Sequence, residues 1–213
     1  MISFQQMRKF TFDNDTHTYY LGEKKLLSST EILKVCDVVD DRFYNEEARA
    51  RGTAVHACCH YLAEKELDWN SIEKVNHSFE LKYGKNPHIE EYVKAYEKFL
   101  NESGYLSRKL ICEKPIYHAT LEYGTIPDQV DQDDPEKLII ELKSGSMQDW
   151  TRYQTALQAM ALSPDDYYSY RRIGVELRKN GTYRTEEFDD PDDFDLALSF
   201  YNVATYLRNK GRK

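Results

Sequence analysis

Apolar and polar positions alternate along residues 10–27 around a turn at Gly22, which predicts a β-hairpin. Ser28-Ser29-Thr30-Glu31 then supplies an N-cap and a helix-favouring acid ahead of a helix over 32–38. Residues 45–66 are rich in Ala and Glu and predict a second helix, with Gly52 as a point where it breaks in two. Residues 68–86 are polar and mixed, and read as a loop with a short helix. Over 88–103, Ile89, Tyr92, Val93, Tyr96, Phe99 and Leu100 fall on one face at i, i+3, i+4 spacing, a core-packing helix stopped by Gly104. Strands follow over 105–118, 121–131 and 137–143, the last two joined by the turn signal Asp133-Asp134-Pro135. Residues 147–162 have high helix propensity and end at Ser163-Pro164. A strand over 167–178, the hairpin turn Asn180-Gly181, a return strand over 182–188 and an amphipathic helix over 192–210 complete the order. There is no internal repeat and no interdomain linker. The order suits one α/β domain spanning 1–213, with a mixed central β-sheet flanked by helices.

Composition narrows the class. The 213 residues are long enough to bury a substantial core, and 40% hydrophobic with 31% charged residues describe a soluble globular protein. No apolar run is long enough for a membrane helix, and the first ten residues lack the apolar segment of a signal peptide. Cys36, Cys58, Cys59 and Cys112 form no Cys-x-x-Cys pair and read as reduced thiols of a cytoplasmic protein. The net charge of −8 argues against a simple nucleic-acid-coating protein, which should be basic, but does not exclude a nuclease, whose site carries acids that metals neutralise. Much of the excess lies in the acidic run 186–193, which reads as a solvated loop.

The chemistry-bearing residues gather around the 121–143 hairpin. Alternation puts Glu141 and Lys143 on one side of the strand and Leu142 on the other. Pro127-Asp128 ends the first arm, so antiparallel pairing brings Asp128 near Glu141. Two such carboxylates repel unless a cation sits between them, and Mg²⁺ or Mn²⁺ suits oxygen ligands. Lys143 is a fixed positive charge beside that pair, suited to a phosphate. His56 admits three readings: a core or surface histidine, a zinc pair with His60 one turn later, or a ligand of the Asp128–Glu141 metal. Glu113, in the middle of its strand, reads as a salt-bridged acid or a further acid of the site. Gln154 and Gln158 share a helix face at i, i+4. Arg49, Arg51 and Arg152 are phosphate-contact candidates on charge and location, and Arg171-Arg172 read either as facing phosphate or with one of them only flanking a carboxylate.

Pro127-Asp128 followed by Glu141-Leu142-Lys143 resembles the PD-(D/E)XK signature of a large nuclease superfamily. Arg51-Gly52-Thr53-Ala54-Val55-His56 resembles the histidine-bearing helix motif of its RecB-like members, and Gln154 matches the glutamine of the helix that follows their acid–lysine strand. Gln158 stands where a tyrosine is expected. The resemblance spans roughly residues 17–177 and extends to phage-type exonucleases and the mitochondrial genome maintenance exonuclease. It implies a restriction-endonuclease-like core carrying an N-terminal hairpin and helices. His56, Asp128, Glu141 and the carbonyl of Leu142 would hold Mg²⁺ or Mn²⁺, Lys143 would orient water and stabilise the transition state, and Gln154 would position substrate or water. Glu113 occupies a position where such nucleases often have a glutamate. The implied activity is metal-dependent DNA hydrolysis from ends, in recombination, repair or replication, with DNA and a recombination protein as partners. A structure-specific endonuclease and a catalytically silent module that binds DNA or protein are the alternatives. An iron–sulfur form is excluded, because all four cysteines precede the hairpin.

Overall fold

The computed structural model describes residues 8–39, 45–133 and 136–211. Three short strands come first, β1 (Phe10–Asp13), β2 (Thr18–Leu21) and β3 (Lys24–Lys25), paired antiparallel in that order. The hairpin expected around Gly22 is therefore a three-stranded meander. Its extra turn forms because Asp13 Oδ1 accepts the N–H groups of Asp15 and Thr16 at 2.9 and 3.2 Å, an Asx-type turn. β4 (Leu27–Ser28) leads into α1 (Ser29–Val35), closed by a full capping box between Ser28 and Glu31.

α2 (Glu46–Ala63) starts at an Asn45 N-cap and runs unbroken through Gly52, correcting the expected break. A mid-helix glycine costs only ~1 kcal/mol against alanine, which packing readily overrides. α3 (Trp69–Tyr83) is a 15-residue helix where a loop with a short helix was expected. Its buried stripe is narrow, Ile72, Asn76 and Phe79, and polar neighbours hide that period. α4 (Ile89–Glu102) buries the predicted apolar face, and Gly104 follows at φ 76°.

Two predicted strands are each split between sheets. Residues 105–118 form a 3₁₀ turn (Tyr105–Ser107), then β5 (Ile111–Cys112) and β6 (Ile116–Tyr117). The break falls at Glu113, whose φ is 44°, and at Pro115, which has no N–H to donate. Residues 121–131 form β7 (Tyr123–Thr125) and β8 (Gln129–Asp131), broken around Pro127. β6 and β7 join β4 in one sheet of order β4-β7-β6. β5 and β8 join β9 (Lys137–Lys143), and β8 pairs antiparallel with β9 as the hairpin reading expects, Gln129 opposite Ile140. Of the predicted turn between them, Asp134 and Pro135 lie outside the described residues.

α5 (Thr151–Leu162) begins four residues later than expected, because the Met147 N–H donates to Glu176 Oε2 and ties that segment to the sheet. β10 (Tyr170–Leu177), β11 (Tyr183–Glu187) and α6 (Asp192–Asn209) follow. Only the middle of the acidic run 186–193 is a solvated loop: residues 189–191 are exposed between β11 and α6, whereas Phe188 and Asp193 are buried and Glu187 pairs with Arg171.

The main sheet has the order β11-β10-β9-β8-β5 and is mixed, with only β9 and β10 parallel. On one face Leu138, Ile140, Leu142, Ile173 and Val175 pack against α2 and α4. On the other, Ile139 and Tyr170 pack against α1, α5 and α6. Each fully buried Leu or Ile contributes about 1.5–3 kcal/mol. The fold is thus mixed α/β with helices on both faces. No described helix is long and apolar enough to cross a membrane.

Candidate metal centre

The register of β9 builds the site. Alternation sends Leu142 into one core and aims Glu141 at α5 on the opposite face. Asp128 stands one residue before β8, and its Oδ2 accepts the Leu142 N–H at 2.6 Å. That bond brings the Asp128 carboxylate to the Glu141 end of the strand. From α2, His56 Nδ1 lies 3.2 Å from Asp128 Oδ1. The Glu113 N–H donates to the Asp128 carbonyl at 3.0 Å, and its positive φ turns the chain at this point. His56, Glu113 and Asp128 each offer a ligand atom, all within 4.8 Å of one another.

Lys143 and two glutamines complete the arrangement. Lys143 Nζ donates to Glu141 Oε1 at 2.7 Å and to Gln154 Oε1 at 3.3 Å, and lies 4.9 Å from the Trp150 ring centre. Gln158 Nε2 donates to the other Glu141 oxygen at 2.9 Å. Both glutamines are buried.

The charges respond to this crowding. Burial and the charge of Asp128 push the Glu141 carboxyl above its ordinary range, against Lys143 and Gln158. Burial also acts to raise Asp128, but the neighbouring His56, Lys143 and the Leu142 N–H outweigh it and hold the carboxyl low. His56 is held above its usual value: burial opposes its charge, while Asp128 and Glu141 favour it. A pocket that drives one acid toward its protonated form while keeping its neighbour ionised is relieved by a hard cation. Carboxylate oxygens with one imidazole nitrogen are a donor set that can hold a divalent cation.

His60 does not join His56 in a zinc pair. Its Nε2 lies 3.1 Å from Glu64 Oε1 and its Nδ1 lies 3.6 Å from Glu113 Oε2. Among the described residues, the metal-capable cluster is His56, Glu113 and Asp128, and it contains neither His60 nor Glu141, whose two oxygens are held by Lys143 and Gln158.

The arginines divide. Arg49 is exposed on α2, two turns before His56. Arg51 lies 6.0 Å over the Tyr92 ring, with its Nε buried. Arg152 sits 3.6 Å from Asp193 and 3.8 Å from Glu186. Arg171 holds both oxygens of Glu187, and Arg172 is buried against Asp193, so each flanks a carboxylate, the alternative left open for one of them. Sequence reasoning placed Gln158 where a tyrosine is expected without giving it a role, and passed over Trp150. The i, i+4 spacing of Gln154 and Gln158 is the signal that marks the first, because both point from α5 at the same strand end. Trp150 had no such signal, since it precedes α5.

Comparison of the chain with protein-family models and with curated proteins finds no match in either.

Proposed function

We propose that the chain is a metal-dependent deoxyribonuclease that hydrolyses phosphodiester bonds from DNA ends, in recombination, repair or replication, as the PD-(D/E)XK resemblance implies. The observation that carries this reading is the convergence of His56, Asp128, Glu141 and Lys143, drawn from α2, the start of β8 and the end of β9, with Glu113 beside them. His56, Asp128, Glu141 and the Leu142 carbonyl would hold Mg²⁺ or Mn²⁺, with Glu113 as a further acid. When bound, such an ion lowers the pKa of water and offsets phosphate charge.

The chain's own residues do the rest. Gln154 and Glu141 hold the Lys143 ammonium in place, so a fixed positive charge stands beside the reacting phosphate. Gln158 holds the second oxygen of Glu141 and fixes that carboxylate's orientation. Arg49, exposed on the same helix as His56, contacts a flanking phosphate. No base-reading motif is present, so the substrate is taken without sequence preference.

The deciding experiment compares end-labelled linear DNA with covalently closed circles, in EDTA, Mg²⁺ or Mn²⁺, for the unaltered chain and Lys143→Ala. We expect loss of the linear DNA alone, requiring metal, and reduced about 10²- to 10³-fold in the variant. Cutting of closed circles would replace the exonuclease by a structure-specific endonuclease. Retained DNA binding without turnover would make the chain a binding module.

A further inference from the structure

We propose that the chain self-associates as a two-fold symmetric dimer through the outward face of α6. This inference is independent of the nuclease reading. The inner face of α6, with Asp193, Phe194, Ala197 and Ala204, is buried against the main sheet and α5. The outer face carries Leu196, Val203 and Tyr206, which are 43%, 48% and 58% exposed. These three lie in one line at helical spacing, whereas the other exposed large apolar residues described on α-helices, Val35, Tyr61, Trp69 and Leu81, are spread over α1, α2 and α3.

The occupant follows from the charge order of that line. Exposed Asp192 and Asp195 stand at its start and exposed Lys210, beside Tyr206, at its end, while Arg208 is turned off this line and donates to the Lys25 carbonyl. An identical helix laid antiparallel across it places acid against base at both ends. With the two-fold axis level with residue 201, whose own ring faces inward and donates to the Leu121 carbonyl, Asp192 of one copy faces Lys210 of the other, Leu196 faces Tyr206, and Ser199 faces Val203. The small Ser199 sits near the crossing point, with its hydroxyl turned back to the Asp195 carbonyl at 2.8 Å. That leaves room for the facing Val203. A single surface that complements itself under rotation is what an isologous dimer requires. A partner of uniform charge would match only one end.

The contact is one helix of 18 residues, roughly 27 Å long. It lies at the small end of specific interfaces, so a dissociation constant on the order of micromolar is expected. The test is sedimentation equilibrium of the 213-residue chain across that range, for the unaltered chain, Asp192→Lys, Lys210→Asp and the double exchange. Each single reversal sets like charges face to face twice per dimer and should weaken association about tenfold. The double exchange restores opposite charges and should restore the dimer. Leu196→Asp should leave a monomer, with circular dichroism showing the fold intact. A chain that stays monomeric at about 100 μM, or a dimer indifferent to both Leu196→Asp and the single reversals, would overturn the proposal.

Discussion

At the scale of single residues, Gln158 shows how a buried acid is held ready. Its Nε2 donates to Glu141, while its own Oε1 is buried without a partner among the described residues. Gln158→Leu removes that donor and leaves the helix in place. We expect metal affinity or activity to fall about 10- to 100-fold, measured by Mn²⁺ titration and by turnover of linear DNA. An unchanged Mn²⁺ affinity and rate would remove Gln158 from the site. His118 gives a pH prediction away from the metal ligands. It is buried, and its Nδ1 accepts the N–H groups of Thr120 and Leu121 at 3.2 and 3.1 Å, which requires the unprotonated nitrogen. Burial holds its pKa below the ordinary value. The unfolded chain therefore takes up the proton first as pH falls. The stability from this group is fully present above about pH 6.5, starts to fall there, and is lost as pH drops through the lower folded value. His118→Asn keeps an acceptor and removes the titration, so its urea midpoint should decline less between pH 7 and 5 than that of the unaltered chain. Parallel declines would refute the assignment. Asp128, Glu141 and Lys143 are legible in sequence because strand alternation and one antiparallel register fix their sides. The packing of Arg51 on Tyr92 and the burial of Arg172 are not legible, since charge in a sequence says nothing of which face a helix or strand presents.

At the scale of elements, two contacts hold the layers together. Arg172 on β10 and Asp193 on α6 form an ion pair at 3.0 Å in which both side chains are 2% exposed. The guanidinium also donates to the carbonyls of Arg152 and Asp190 and lies 4.4 Å from the Phe194 ring centre. Asp193→Ala leaves a buried charge without its counterion and should cost about 3–5 kcal/mol. Adding Arg172→Met should recover most of that loss, read from urea unfolding of the two variants. If the double variant is no more stable than the single, the unpaired charge is not the cause. Gly124 on β7 marks the other contact. A Cβ there would stand 2.2 Å from Tyr19 Cγ, close to the root of a buried ring that cannot swing aside. Gly124→Ala should cost about 1–3 kcal/mol or more by overpacking, seen as a lower melting temperature. Element type was legible wherever the apolar period was strong, as in α4 and β9. It failed where one run of apolar residues serves two sheets. The strand-like stretches of 105–118 and 121–131 each serve two sheets, and Glu113 with Pro115, and Pro127, mark where the chain leaves one sheet for the other.

At the scale of the whole molecule, the site is assembled from segments far apart in sequence. His56 arrives on α2, Glu113 after β5, Asp128 before β8, and Glu141 with Lys143 on β9. The α/β order with a mixed central sheet was legible, because strands and helices alternate in a way that few architectures accommodate. The exact meeting of α2 with β8 was not, since no local pattern encodes the packing of one helix across a sheet. On the proposed reading, metal binding is coupled to folding, for the unfolded chain scatters the proposed ligands over more than 80 positions between His56 and Glu141. Binding to the folded state alone adds about 2.7 kcal/mol at a hundredfold excess over the dissociation constant. For a chain of this length that corresponds to a rise in melting temperature of about 5–10 °C. EDTA-treated protein should therefore melt higher by about that much on addition of saturating Mn²⁺. Asp128→Asn and His56→Ala should lose most of the rise, and Lys143→Ala should keep it, because Lys143 is assigned to the phosphate and not to the ion. A Mn²⁺ shift that survives Asp128→Asn would place the ion elsewhere, and one abolished by Lys143→Ala would reassign the lysine to the architecture of the metal site.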